Sequence, residues 1–330
     1  MDNLFNTPIA FLIFKRPEET SSVFEMIKKI KPKTLLIVAD GPRNKDESIL
    51  CEKTRRIVSK IDWPCEVLHN YSETNLGCKR RISTGLDWVF KNVERAIILE
   101  DDCLPDLSFF SFCEDLLEKY SDDNRIMHIG GINVEEINKP ESTDLEDQRK
   151  CSYHFSNIAQ IWGWATWKRA WDKYDVNMKD WPKIKSDNGL QKLIKNIPVV
   201  DYFTYLYERM YRGELDTWDA AWTYTCMKEG GLCIVPRLNL VRNIGFGNGA
   251  THSISNKGYV GEMNTKQITF PLNHPDKQEV DVRADQYVYK KVFGIQSRYG
   301  QKILWLIKSN FPNTYNVLKS FLKHIKFFMK

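Results

Sequence analysis

Over its first hundred residues the chain alternates short apolar runs with longer stretches whose apolar residues recur at helical spacing. Few folds satisfy that alternation. Residues 7–15 form an apolar run closed by Arg16-Pro17, and Pro17-Glu18-Glu19-Thr20 opens a helix reaching about Ile30. Thr34–Ala39 is a second strand, stopped by Asp40-Gly41-Pro42, and residues 44–61 carry Ile49, Leu50, Ile57, Val58 and Ile61 at helical spacing. Residues 66–68 make a third strand and 70–77 a polar loop. Residues 78–93 then form a helix with Ile82, Leu86, Val89 and Phe90 on one face, before a fourth strand at 96–99. Strands that alternate with helices build a parallel sheet covered by helices. A further helix over 107–120 and a strand over 126–132, interrupted by Gly130-Gly131, continue the pattern. The expected fold class is α/β, a mostly parallel, Rossmann-like sheet flanked by helices.

The fourth strand ends in Glu100, Asp101 and Asp102. Like charges about 4 Å apart at an effective dielectric near 20 repel by roughly 4 kcal/mol per pair. Open α/β sheets place ligands at the carboxyl ends of their strands, so this cluster asks for a cation there. The plain alternative is a solvated acidic turn. Strand alternation, if it continues through the acids, puts Glu100 and Asp102 on one side and Asp101 on the other. Lys79, Arg80 and Arg81 open the third helix, where the helix dipole disfavours positive charge and a bound anion would relieve it.

Composition removes several classes of function. Hydrophobic content of 42% with 28% charged residues suits a soluble protein with a core. Apolar runs such as 9–14 are strand-length, too short to span a bilayer, and no secretory leader pattern is visible. Eight cysteines lie scattered without a Cys-x-x-Cys pair, which argues against a zinc knuckle and for free thiols in a reducing cytoplasm. The net charge of +5 is modest, and it gathers at the end of the chain rather than over a domain body, so no nucleic-acid partner is expected. Beyond residue 300 stand Lys302, Lys308, Lys319, Lys323, Lys326 and Lys330 and no acid, with Leu318, Phe321, Leu322 and Ile325 forming an apolar face. A basic amphipathic helix of this kind fits an anionic membrane surface; packing of that face on the sheet domain is the alternative.

Four stretches share one order and spacing: Phe14-Lys15-Arg16-Pro17, Ala39-Asp40-Gly41, Asn75-Leu76-Gly77-Cys78-Lys79 and Glu100-Asp101-Asp102. Together they resemble the nucleotide-sugar half of a GT-A glycosyltransferase, most of all the N-acetylglucosaminyltransferase I family and its bacterial surface-polysaccharide relatives. The resemblance spans roughly residues 7–249. It implies a nucleotide-sugar donor, UDP-linked, and a glycan acceptor; the basic tail on a membrane would suit an acceptor carried by a lipid at the cytoplasmic face. It implies that Asp40 meets the base edge, that Arg16 lies near the nucleoside, and that Lys79 or Arg80 approaches the diphosphate. Asp102 would bind Mn²⁺ or Mg²⁺, Asp101 would face the ribose or sugar, and Glu100 would orient them. Hard cations of this kind take oxygen ligands, one or two carboxylates completed by phosphates.

Tryptophans 162, 164, 167, 171, 181, 218 and 222 crowd the middle of the chain. Indole faces stack on sugar rings, and Gly163-Trp164 resembles the family's Gly-Trp element, so Gly163, Trp164 and Trp218 are candidate substrate contacts and the remaining tryptophans candidate core. Asp219, between Trp218 and Trp222, resembles the family's Trp-Asp element and is the candidate general base of an inverting reaction; Asp216 suits the role of a helix cap. The second acid found beside this position in many relatives is missing here. His252, in a loop rich in glycine and asparagine, stands where several GT-A enzymes have a late metal-binding histidine. The expected organisation is a nucleotide-sugar half at 1–133, an acceptor half of the same domain at 134–282, and a basic tail at 283–330. Two other readings compete: a nucleotidyltransferase, which should carry a glycine-rich loop after the first strand, and a non-catalytic carbohydrate binder, which would have no use for three adjacent acids.

Overall fold

A computed structural model describes residues 4–135, 151–245 and 263–295. The first half reproduces the alternation read from the sequence: β1 (Ile9–Ile13), α1 (Pro17–Ile30), β2 (Thr34–Ala39), α2 (Lys45–Val58), β3 (Glu66–Tyr71), α3 (Cys78–Asn92) and β4 (Arg95–Glu100). A short β5 (Cys103–Pro105), α4 (Leu107–Lys119) and β6 (Ile126–Gly130) follow. Pro17 opens α1, Asn44 caps α2 by accepting from the Glu47 amide, and Asp106 caps α4 by accepting from the Ser108 amide.

The second half adds β7 (Tyr153–Ser156), β8 (Trp164–Trp167), α5 (Lys168–Trp171), α6 (Trp181–Ser186), α7 (Gly189–Leu193), α8 (Ile197–Tyr211) and α9 (Asp219–Lys228). It closes with β9 (Leu232–Pro236), β10 (Val241–Asn243) and α10 (Val282–Lys291). Eight strands form one sheet in the order β3-β2-β1-β4-β8-β6-β9-β7, while β5 and β10 pair separately. From β3 to β4 all pairing is parallel, whereas β8 runs antiparallel between β4 and β6.

Strand β1 lies between β2 and β4, so the chain leaves it first to one side and later to the other. That reversal opens a crevice at the carboxyl ends of β1 and β4, the usual ligand position in open α/β sheets. Both faces of the sheet are covered. Ile9, Phe11, Leu35, Ile37, Ile97 and Leu99 pack under α1 and α4, and Ala10, Leu36, Val38, Ala96 and Ile98 pack under α3 and a group of tryptophans. Two-sided burial is why these strands read as unbroken apolar runs.

Candidate active site

Four segments meet at the crevice. The first is the turn after β4. The strand stops at Glu100, so Asp101 and Asp102 sit in a turn and do not follow the in-out alternation expected of a longer strand. Both acids reach the same guanidinium: Arg16 Nη1 donates to Asp101 Oδ1 at 3.1 Å and to Asp102 Oδ2 at 2.6 Å. The Phe14 amide donates to the other Asp101 oxygen at 3.0 Å. Arg16 is therefore spent on the acids at the end of β1. Burial, opposed by the pull of Asp101 and Asp102, still leaves its pKa above the ordinary arginine value.

Asp101 is pushed up to about 7 by burial and by Asp102, against the pull of Arg16. Glu100 is pushed well above the carboxylate range by burial first, then by Asp102, Asp101 and Asp219. No hydrogen bond or ion pair to the Glu100 carboxylate is found among the described residues. Behind the turn, the Ile244 amide donates to the Asp102 carbonyl at 2.8 Å, and Gly245 lies against the Asp102 carboxylate where a Cβ would collide. The glycine-rich segment thus starts in contact with the acids.

The second segment is the turn after β2. Asp40 Oδ1 accepts from the Gly41 amide at 2.8 Å and the Leu76 amide at 2.9 Å, and Oδ2 from Asn75 Nδ2 at 3.0 Å. Asp40 is a clamp that joins two of the motifs seen in the sequence, with one acceptor direction of its carboxylate left over. The third segment is the start of α3. Gly77, at φ 76°, caps the helix in a conformation that favours glycine, without a side-chain cap and with no acid in the first turn. The first α3 amides therefore lack acceptors among the described residues, and Lys79 and exposed Arg80 stand beside them. Cys78 is open to solvent yet ringed by protein atoms. Desolvation, then the charges of Glu100, Asp219, Asp216 and Asp40, push its thiol up to about 12. That single thiol feels carboxylates from three separate segments, Glu100, Asp40 and the pair Asp216 and Asp219, and it had carried no signal of its own.

The fourth segment is the start of α9. Asp219 is its first residue, with Oδ1 accepting from the Thr217 hydroxyl and from the Ala220 amide at 2.8 Å. Its charge is felt by Glu100, Cys78 and Tyr174. Asp219 rather than Asp216 thus occupies the helix end, but Asp216 also faces Cys78.

Trp164 and Trp218 are corrections to the sequence reading. Trp164 is 1% and Trp218 3% exposed, and the two stack on each other with centroids 5.8 Å apart. They are packed with Trp171, Trp222 and His128 under the sheet, so neither presents a face to a sugar. Gly163, at φ 62°, makes room for Val241. Trp164 is turned inward because β8 lies inside the sheet, between β4 and β6, and Trp218 because it stacks on Trp164 at the start of α9. His252 lies outside the described residues, as do most of the glycine-rich loop and residues 296–330 of the basic tail. Among the described residues no three His, Cys, Asp or Glu side chains converge to hold a metal, and no helix is long and apolar enough to cross a membrane. All eight cysteines are free thiols.

No protein-family model and no curated protein matches the chain. Among solved structures it is similar to S. aureus TarS residues 1–349, at 12% identity and a TM-score of 0.33 over 56% of this chain and 49% of that one. It thus spans about half the length of that protein. It is also similar to mouse xyloside xylosyltransferase 1 in its apo form, at 7% identity and a TM-score of 0.33 over 68% of this chain and 82% of that one. These scores describe a loose likeness in the path of the chain, and the residues of the crevice carry the functional reading.

Proposed function

We propose that the protein is a metal-dependent, inverting glycosyltransferase that moves a sugar from a UDP-linked donor to a hydroxyl of a glycan acceptor. The observation that carries this is the convergence of Asp40, the uncapped start of α3, Glu100 to Asp102 and Asp219 on one crevice at the switch point of the sheet. Asp40 and its clamp shape the nucleoside end. The free amides of α3 with Lys79 and Arg80 suit a diphosphate, by hydrogen bonding and by dipole. Asp219 Oδ2, which has no partner among the described residues, is free to take the acceptor's proton.

The chemistry follows from those positions. The acceptor oxygen attacks the anomeric carbon, its proton passes to Asp219, and the glycosidic bond's electron pair leaves with the nucleoside diphosphate. The departing charge needs donors and a cation, which these amides and basic side chains supply in part. The residues fit Mn²⁺ or Mg²⁺: among the described residues Glu100 is unpartnered, and Asp102 Oδ1 meets only the weak Cys103 thiol. Two carboxylates completed by donor phosphates match the needs of such an ion, which supplies charge neutralisation when bound. A role in bacterial surface-polysaccharide synthesis, with a lipid-linked acceptor and the basic tail on the cytoplasmic membrane surface, completes the proposal.

The test is release of UDP from a panel of UDP-sugars with Mn²⁺. Turnover by the wild type, lost in EDTA and in Asp102→Ala, is the expected result. Full turnover in EDTA removes the metal-dependent reading, and turnover of no UDP-sugar removes the UDP-linked donor.

A further inference from the structure

Asp219 opens α9 without a conventional cap: the residue before it, Trp218, is already helical in backbone and makes no side-chain capping bond. What holds the carboxylate comes from two places. Thr217 donates its hydroxyl to Oδ1, the oxygen that also accepts from the Ala220 amide, which leaves Oδ2 to the crevice. Tyr174, far back in the chain, donates its hydroxyl to the Trp218 carbonyl at 3.1 Å. The Tyr174 ring is fixed in turn by stacking on Trp171, centroids 4.2 Å apart and planes 22° from parallel. Trp222, one turn into the helix, bonds through its indole to His128 Nδ1 at 3.1 Å.

We propose that Thr217 and Tyr174 are positioning residues for the Asp219 carboxylate, Thr217 selecting which oxygen faces the acceptor and Tyr174 fixing the peptide that starts the helix. This rests on the reading of Asp219 as the base. The ionisable groups facing Asp219 are Glu100 from β4, Cys78 from α3 and Tyr174. Burial first, then Asp219, Asp87 and other nearby acids, raise the Tyr174 phenol above its ordinary range, so it remains a donor at working pH. A hydroxyl donated to one oxygen fixes the rotation of the carboxylate and so decides which oxygen is left for the acceptor.

The experiment compares Thr217→Val, Thr217→Ser, Tyr174→Phe and Asp219→Asn on hydrolysis of the UDP-sugar that the wild type turns over, with kcat and the donor KM measured separately. Thr217→Val is expected to lower kcat roughly ten- to a hundredfold, as misplacement of a reacting group does. The donor KM stays unchanged, and Thr217→Ser restores kcat. Tyr174→Phe lowers kcat and leaves the donor KM unchanged. If Asp219→Asn is inactive while Thr217→Val and Tyr174→Phe match the wild type in kcat, the positioning proposal is overturned and the base stands. If Asp219→Asn turns over normally, the base itself is wrong and the proposal falls with it.

Discussion

His128 is the residue whose chemistry is most tightly specified by its surroundings. It is fully buried in β6, stacked on Trp164, with Nε2 bonded to the Gln160 carbonyl at 3.0 Å and Nδ1 accepting from Trp222. Those partners require the neutral tautomer protonated at Nε2. Burial pushes the imidazole down to about 4, against the Gln160 bond. The unfolded chain binds this proton near pH 6.5 and the folded one only near 4, so stability is intact above 6.5 and drains away as pH falls through that window. The loss is of order 3 kcal/mol for a depression of this size. Denaturation midpoints taken between pH 7 and pH 4 should fall in the wild type and flatten over that interval in His128→Phe. A His128→Phe protein with the same decline as the wild type would assign it to other groups. Asp219→Asn carries a second expectation at this scale: turnover down roughly 10²–10⁴-fold with donor affinity unchanged, read by single-turnover kinetics and nucleotide titration.

At the scale of elements, the turns after β2 and before α3 act as one unit. Asp40 holds them together through two hydrogen bonds, from Asn75 and the Leu76 amide, and accepts a third from Gly41 within its own turn; Gly41 fits against the backbone of Thr74, and Arg55 donates to the carbonyls of Asp40 and Ser72. Asp40→Ala leaves the buried Gly41 donor and the half-buried Leu76 donor without their acceptor, at a cost of about 1–3 kcal/mol. It should also raise hydrogen exchange at residues 75–79 and weaken nucleotide binding. Unchanged exchange there would mean the backbone contacts suffice without the carboxylate. The sequence displayed this unit only as two separate turn signals, since local pattern says nothing of which turns meet. The same limit explains the second half. Strands β1 and β2 were legible because each is apolar, closed by a nearby Pro or Gly and followed by a helix of clear period, and β4 because its apolar run ends in acids; β3, mixed and partly exposed, was legible only in its first half. β8 was not, because Trp164-Ala165-Thr166-Trp167 is short and mixes large with small residues, and its antiparallel place between β4 and β6 depends on long-range pairing. Tyr174 and Thr217 carry no local signal of their tie to Asp219.

For the whole molecule, the question is how a ligand bound mainly by one half is felt by the other. The groups proposed to face the nucleotide, Asp40, Lys79 and Glu100, lie on the β1–β4 side, whereas Trp164 stands on β8, across the β4–β8 seam, with Trp171, Trp218 and Trp222 packed around it. That seam is continuous: Arg95 to Ile98 pair with Trp167 to Trp164, and Trp164 shares a core with Leu36, Val38 and Ile98. The two sides should therefore unfold together. A nucleotide at about 100 times its Kd adds roughly 2.7 kcal/mol to the folded state. With an unfolding entropy of about 2.1 cal/mol/K per residue, that corresponds to roughly 4 °C in Tm for a chain of 330 residues. Tryptophan fluorescence should report this shift as fully as far-UV circular dichroism when UDP and Mn²⁺ are added together, and much less with UDP in EDTA. A shift seen by circular dichroism while the tryptophan transition stays in place would show that the seam lets the halves melt apart. Equal shifts with and without the cation would separate nucleotide binding from the acidic turn, and the three carboxylates after β4 would then need another partner.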